Sequence, residues 1–272
     1  MYVDLHMHST FSDGRYTPEM LVEENFKLGI RVIALTDHDC IDGVESALRA
    51  AEKFQGAMRI IPGLELSTEA NKRPVHILGY YVDMDNNNLL DVLHWLRDSR
   101  ENRLLRMLDK LQELGYDIKT EYCMAGGRSL GRPHVAKALV KAGYFNEAQE
   151  AFDKLLYFGG PAYTPYAKLF PEDAVKLIHE AGGLAVLAHP TEIENDDLVL
   201  SLLDKLPFDG LEVYHPSALT KERQEFLKKL AQERNLLITG GTDFHGVPDR
   251  FPAQLGEWIV NYEDVKEILE WK

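Results

Sequence analysis

Four short apolar runs in this chain each end abruptly in histidine or aspartate. Tyr2-Val3-Asp4-Leu5 leads into His6-Met7-His8, and Val32-Ile33-Ala34-Leu35 into Thr36-Asp37-His38-Asp39. Leu184-Ala185-Val186-Leu187-Ala188 leads into His189-Pro190, and Leu236-Leu237-Ile238-Thr239 into a Gly-Gly turn followed by Thr242-Asp243-Phe244-His245. Runs this short and this apolar suit strands buried on both faces of a parallel sheet. In an extended chain, positions i and i+2 point to the same side, so His6 and His8 can place two imidazoles on one ion. Strands that alternate with helices and end in polar residues predict a parallel β/α barrel, where an active site gathers at the C-terminal strand ends.

Between the strands the helix signals are local. Thr17-Pro18-Glu19 combines an N-cap, a proline at the first helical position and an acidic first turn, and Gly29 suits the C-cap. Asp42 is the expected cap of a second helix reaching about Phe54. Ile60–Leu64 leads to Glu65, and Val75–Tyr81 is a fourth strand carrying His76 near its start. The alternation then breaks. From Asp91 to Gly115 runs one long helical pattern with Val92, Trp95, Leu96, Leu104, Leu108 and Leu111 apolar, and Arg97, Arg100, Arg103 and Arg106 reading as a solvated face. Further helices are expected from Arg132 and over Asn146–Phe158. The alternation resumes at Phe170, with Gly210–His215 as the sixth strand and Leu236–Gly241 as the seventh. The expected organisation is a barrel split into residues 1–83 and 169–272 around a helical insertion at 84–168.

The chain has 272 residues, a net charge of -14 and only two cysteines, Cys40 and Cys123. The acidic balance argues against a broad surface for duplex nucleic acid but not against a small phosphorylated substrate, because bound metals supply local positive charge. Two cysteines suit free thiols in a reducing cytosol, and neither a signal peptide nor a membrane-spanning run is evident, so a cytoplasmic protein is expected.

Nine residues compete for the metal site: His6, His8, Asp13, His38, Glu65, His76, His189, Asp243 and His245. That exceeds the three or four protein ligands of one catalytic ion, so two or three divalent ions are expected, of Mn, Fe or Zn class for a mixed His/carboxylate set. Closely spaced ions clamp the oxygens of a phosphoryl group and activate a shared water. Asp13 reads either as a ligand or as a turn residue before Gly14. His76 is awkward for a parallel barrel, since it lies near the start of its strand. His215 ends the sixth strand and reads as a supporting or substrate-contacting residue, whereas His94 and His179 fall in helical patterns as ordinary surface or packing residues.

The segments Asp4–Gly14 (D-L-H-M-H-S-T-F-S-D-G), Leu35–Asp39 (L-T-D-H-D), Gly63–Ser67 (G-L-E-L-S), Ala188–Pro190 (A-H-P) and Thr242–Gly246 (T-D-F-H-G), in this order, resemble the PHP (polymerase and histidinol phosphatase) family of metal-dependent phosphoesterases. The resemblance implies a distorted seven-stranded (β/α)7 barrel. It implies one ion on His6, His8, Glu65 and Asp243, a second on Glu65, His76 and His189, and a third on Asp13, His38 and His245. The implied reaction is in-line attack by a metal-bound hydroxide held by Glu65 and Asp243. Gly131–Leu139 (G-R-P-H-V-A-K-A-L) and Gly159–Tyr163 (G-G-P-A-Y) resemble the subgroup of 3′,5′-nucleoside bisphosphate phosphatases and 5′-to-3′ exoribonucleases acting on short RNA. That likeness makes Arg132 and His134, and Ser129 beside them, the implied phosphate-binding residues of a capping insertion. Gly160 stands where that subgroup often has a basic residue. Arg132 also offers a bidentate fork at a helix N-terminus, a reading that outweighs the simple helix-start packing Arg132 and His134 would otherwise serve. The rival readings are a phosphatase of another small metabolite, of the histidinol phosphate or cyclic phosphate type, and a non-catalytic metal-binding module.

Overall fold

The computed structural model describes residues 1–124, 131–165, 168–248 and 250–271. The chain divides into two compact units, Met1–Asp91 with Lys168–Lys272, and Val92–Ala167. In chain order the first segment holds β1 (Tyr2–Asp4), α1 (Pro18–Lys27), β2 (Ile30–Leu35), α2 (Val44–Ala51), β3 (Arg59–Ala70) and β4 (Arg73–Tyr80). There follow α3 (Asn87–Glu113), within which the unit boundary falls, then α4 (Thr120–Met124), α5 (Arg132–Lys141) and α6 (Ala148–Ala151). The first unit resumes with α7 (Pro171–Glu180), β5 (Leu184–Leu187), α8 (Asp196–Lys205), β6 (Gly210–Tyr214), α9 (Lys221–Glu233), β7 (Leu237–Gly240), β8 (Val260–Asn261) and α10 (Lys266–Leu269).

The strands form one α/β sheet in the order β7-β6-β5-β4-β3-β2-β1-β8, curled into a nearly closed barrel. β1–β7 are the runs expected from the sequence. The expected count of seven is exceeded by the two-residue β8, which pairs antiparallel with β1. The expectation of parallel strands also needs correction, because β4 runs antiparallel to both β3 and β5. The cause is a hairpin: β3 and β4 are joined through Asn71 and Lys72, both at positive φ (50° and 62°), the twist that tight two-residue turns require. Between the sheet's two ends, Leu5 N–H donates to Gly240 O (3.2 Å), Asp243 N–H to His6 O (2.8 Å) and His8 N–H to Phe244 O (3.0 Å). These bonds bring the residues after β1 against those after β7.

A buried apolar cluster draws Val3, Val32, Ala34, Ile61, Leu78, Tyr80 and Val186 from five strands, with Leu5 just past β1, against Ile268 and Leu269 of α10. Each such aliphatic side chain contributes about 1.5–3 kcal/mol on burial. Among the helices, α1 begins as its sequence predicts, with Thr17 Oγ1 accepting Met20 N–H. α2 does not: Gly43, not Asp42, occupies its N-cap, and its α-helical part stops at Ala51.

In the second unit the described elements are all helical. Leu104, Met107 and Leu111 of α3 join Ile118, Cys123, Val135, Leu139, Leu155 and Leu156 in a core of its own. Two of the α3 arginines overturn the expected solvated face. Arg100 and Arg103 are buried, and Arg103 Nε donates to the Thr164 carbonyl at 2.7 Å. The helix expected over Asn146–Phe158 is shorter, α6 passing into a π-turn over Phe152–Leu156.

Candidate metal centre

The strand ends bring nine sequence-predicted residues and several unforeseen ones into one buried cluster. His6 and His8 follow β1, His38 follows β2, Glu65 lies in β3, His76 in β4, His189 follows β5, and Asp243 and His245 follow β7. His76 reaches the cluster because β4 is reversed. Its first residues lie beside the last residues of β3, with His76 opposite Ser67, so an early position in β4 sits level with the ends of the parallel strands. Three non-glycine residues around the cluster, Asp39, His189 and Asp243, hold positive φ (49°, 23° and 50°), backbone strain of the sort that concentrates at functional sites.

Two aspartates fasten the loops. Asp4 accepts from Thr242 Oγ1 (2.7 Å) and Thr242 N–H (2.9 Å), tying the end of β1 to the turn after β7. Asp37 accepts from Ser9 N–H and Ser9 Oγ, both at 2.7 Å, and from Ser12 Oγ. Burial pushes Asp4 up to about 7 even though Thr242 and the His6 amide stabilise its charge.

Glu65 is the hub. Its Oε2 lies 3.3 Å from His6 Nε2, 3.1 Å from His8 Nε2 and 3.1 Å from His38 Nδ1, while Oε1 lies 2.9 Å from His76 Nδ1 and 3.0 Å from His189 Nε2. The two oxygens therefore serve different imidazole groups, as a carboxylate bridging two cations would. Asp243 Oδ1 lies 3.0 Å from His8 Nε2 and 3.5 Å from His6 Nε2. Asp13 Oδ1 lies 3.2 Å from His245 Nε2 and 3.8 Å from His8 Nδ1.

The fit to cations rests on the orientation of lone pairs. Ligand atoms of His6, His8, Glu65 and Asp243 all lie within 4.8 Å of one another, as do those of His8, Asp13, His38 and His245, and those of His38, Glu65 and His76. His8 Nε2, His38 Nδ1 and Asp13 Oδ1 are buried without a hydrogen-bond partner. Buried polar atoms are seldom left so, and several converging on one spot suit an ion. Hydrogen bonds elsewhere on the rings reinforce this. His6 Nδ1–H donates to Glu212 Oε1 at 2.9 Å, and His245 Nδ1–H to the Asp243 carbonyl at 2.7 Å. Ser12 has committed its proton to Asp37, so it can only accept from His8 Nδ1–H. Each bond leaves Nε2 as the lone-pair nitrogen, the arrangement that orients histidine ligands.

Charge coupling is strong. Burial would raise the carboxyls of Glu65 and Asp243, but the surrounding imidazoles outweigh it and hold both well below the usual range. Burial lowers imidazoles, yet the neighbouring carboxylates push His8 up to about 10 and His189 up to about 9. His38 is the exception, held down to about 3 by burial.

Sequence reasoning missed four members of this surround: Asp4, Asp37, Glu212 and Arg250. Glu212 is fully buried in β6 and also accepts His189 N–H at 2.7 Å. A lone carboxylate inside an apolar strand was its available signal, since such a charge needs partners. Arg250 donates to Asp243 Oδ2 and to His245 Nε2, and its loop position offered no such signal. His215, just past β6, is buried with Nε2 3.6 Å from Asp243 Oδ2. Arg132 and His134 belong to the second unit and open α5. Arg132 Nη1 donates to Leu156 O at 3.2 Å, and His134 Nδ1 accepts Gly131 N–H at 3.1 Å, a capping role. Ser129 lies outside the described residues. His94 is exposed, and His179 pairs with Asp209 at 2.7 Å.

The family model of the PHP domain matches residues 4–161. A phosphoribosyl 1,2-cyclic phosphate 1,2-diphosphodiesterase of Eggerthella lenta is 32% identical, over 93% of this chain and 97% of its own. A 5′-3′ exoribonuclease of Haemophilus influenzae is 33% identical over 98% and 96%, and a 3′,5′-nucleoside bisphosphate phosphatase of Chromobacterium violaceum 31% identical over 98% and 93%. A solved structure from Bifidobacterium adolescentis, described as a metal-dependent phosphoesterase, superposes with a TM-score of 0.82 at 32% identity, covering 98% of this chain and 95% of that one.

Proposed function

This chain belongs to the PHP domain family of metal-dependent phosphoesterases, and from that premise we propose that it hydrolyses a phosphate ester of a 3′,5′-nucleoside bisphosphate or of a short oligonucleotide end. The observation that carries the reading is the double-sided Glu65 carboxylate, with two groups of imidazoles converging on its two oxygens. His6, His8, Glu65 and Asp243 would hold one divalent ion, Glu65, His76 and His189 a second, and Asp13, His38 and His245 a third. Bound there, ions of Mn, Fe or Zn class would polarise phosphoryl oxygens and lower the pKa of a water. The chain's own groups orient the ligands: Glu212 fixes the His6 ring, the Ser12–Asp37 pair fixes His8, and the Asp243 carbonyl fixes His245. Arg132 and His134, with Ser129, are the proposed contacts to a phosphate that does not react.

The Eggerthella relative supports a second reading, hydrolysis of a cyclic phosphate diester. One experiment separates them. Protein loaded with Mn²⁺ is assayed against a nucleoside 3′,5′-bisphosphate, the matching 3′-monophosphate, a 5′-phosphorylated short RNA and a ribose 1,2-cyclic phosphate. The bisphosphate or RNA is expected to give the highest kcat/KM. A faster cyclic phosphate would replace the first reading by the second. Full metal loading with turnover of none would leave a metal-binding module.

A further inference from the structure

His6, His8 and His245 share one tautomer, and His215 has the other. Each of the three gives its Nδ1 proton to a fixed acceptor, which leaves Nε2 as the nitrogen that faces inward toward a cation. His215 is reversed. Its Nδ1 accepts the backbone N–H of Ser217 at 3.0 Å, and a backbone amide can only donate, so the ring proton resides on Nε2. The Ser217 hydroxyl lies 2.7 Å from the same Nδ1. His215 is 3% exposed, and its Nε2 has no hydrogen-bond partner. The nearest carboxylate oxygen, Asp243 Oδ2, is 3.6 Å away, too far for a hydrogen bond.

This orientation excludes His215 as a metal ligand. The residue stands close to His6 and Glu212, and to Glu192 and Asp243, groupings compact enough for a cation. A nitrogen that carries its proton has no lone pair to give, however, and moving the proton to Nδ1 would set it against the Ser217 amide. Asp243 shows the same division. Its Oδ1 faces His6, His8 and His245, whereas Oδ2 faces His215 and Arg250. On the Oδ2 side a pocket of about 240 Å³ is lined by Glu192, His215, Ser217, Thr242 and Arg250 among others.

We infer that His215 is a fixed hydrogen-bond donor to the substrate: its Nε2–H binds a non-bridging oxygen of the phosphoryl group that reaches the centre from this pocket. Ser217 holds the ring in the donating state. The inference rests on the phosphoesterase reading and adds a substrate contact to it. It also separates His215 from an acid that hands over its proton, because a fixed donor keeps Nε2–H throughout.

The test compares His215→Phe, which keeps a ring and removes the donor, with His215→Gln, which returns an N–H near the position of Nε2. Metal content after Mn²⁺ loading and affinity for inorganic phosphate by calorimetry are read alongside turnover. Both variants are expected to hold as many ions as wild type. His215→Phe should bind phosphate about ten- to a hundredfold more weakly, the range for a hydrogen bond to a charged group, and His215→Gln should recover most of that loss. Loss of an ion in His215→Phe would make the residue a ligand and overturn the inference. So would phosphate affinity equal to wild type, or a limb of the pH–rate profile that disappears in His215→Gln. Wild-type protein that turns over no ester would sink the phosphoesterase reading, and the phosphate affinities would still decide the role of His215.

Discussion

His6 and Glu212, 206 residues apart in sequence and both fully buried, meet through a 2.9 Å hydrogen bond from Nδ1 to Oε1. The same carboxylate accepts the His189 amide through its other oxygen, so one side chain of β6 orients residues following β1 and β5. Outer partners of this kind commonly account for ten- to a hundredfold in metal affinity. Glu212→Gln is therefore expected to stay folded and to bind Mn²⁺ about ten- to a hundredfold more weakly. Titration with the metal, beside circular dichroism to check the fold, measures this. Wild-type affinity would show that the His6 ring needs no such support.

Gly241 bears on the same residue from the other side. A Cβ there would overlap the backbone N, Cα and Cβ of His6, where the chain leaving β7 crosses the chain leaving β1. The neighbour is backbone and cannot swing away. Gly241→Ala should cost about 1–3 kcal/mol or more, as overpacking does, and should lower metal affinity by displacing His6. A thermal melt and a metal titration report the two effects, and an unchanged Tm would contradict the close approach.

The strands and most of the clustered residues were legible in the sequence because four of the buried strands announce their ends with histidine or aspartate, and period and position suffice to place such residues. What period cannot give is strand direction. His76 was awkward for a parallel strand and becomes natural once β4 is reversed, but the reversal depends on an Asn71-Lys72 turn that lacks the usual glycine signal. Glu212 and Asp4 were hidden for a related reason, since their roles lie in pairing with residues more than 200 positions away. The arginines of α3 show the converse error. Their spacing reads as a wet face, while Arg100 and Arg103 are buried within a unit that supplies carbonyl acceptors such as that of Thr164.

Protons should compete with metal, and the direction follows from the imidazoles. In the metal-free protein the carboxylates outweigh burial and raise His8 to about 10 and His189 to about 9, and His6 is also raised well above its ordinary value. These rings carry protons at pH 7 and must lose them to become ligands. Metal affinity should accordingly rise with pH from 7 to about 10, and uptake at pH 7 should release two or more protons per chain. His38, held down to about 3, is already deprotonated and adds nothing to this slope. The metal-free fold has the opposite dependence. Raised pKa values stabilise it below the ordinary histidine value of 6.5, and that support fades as pH climbs toward 10. Calorimetry in buffers of different ionisation enthalpy counts the protons, and no release at pH 7 would contradict the assignment.

The remaining prediction concerns the phosphate that does not react. Arg132 opens α5 next to Pro133, its guanidinium engaged at the Leu156 carbonyl and 5.7–5.8 Å from the Phe152 and Tyr163 ring centres. A single carbonyl bond occupies one of five N–H donors and leaves the planar fork able to grip an anion. If it binds the remote phosphate, a 3′,5′-bisphosphate should exceed the matching 3′-monophosphate by about ten- to a hundredfold in kcat/KM, the value of one charged hydrogen-bond contact. Binding energy from a group remote from the chemistry can raise kcat as well as lower KM when it orients the reacting centre. Arg132→Ala should erase most of that preference, keep the metals and leave the monophosphate rate nearly unchanged. Because the reacting phosphate is common to both substrates, their ratio isolates the remote one. A ratio near unity in wild type would remove the bisphosphate as preferred substrate, and a ratio unaltered in Arg132→Ala would move the contact to another residue.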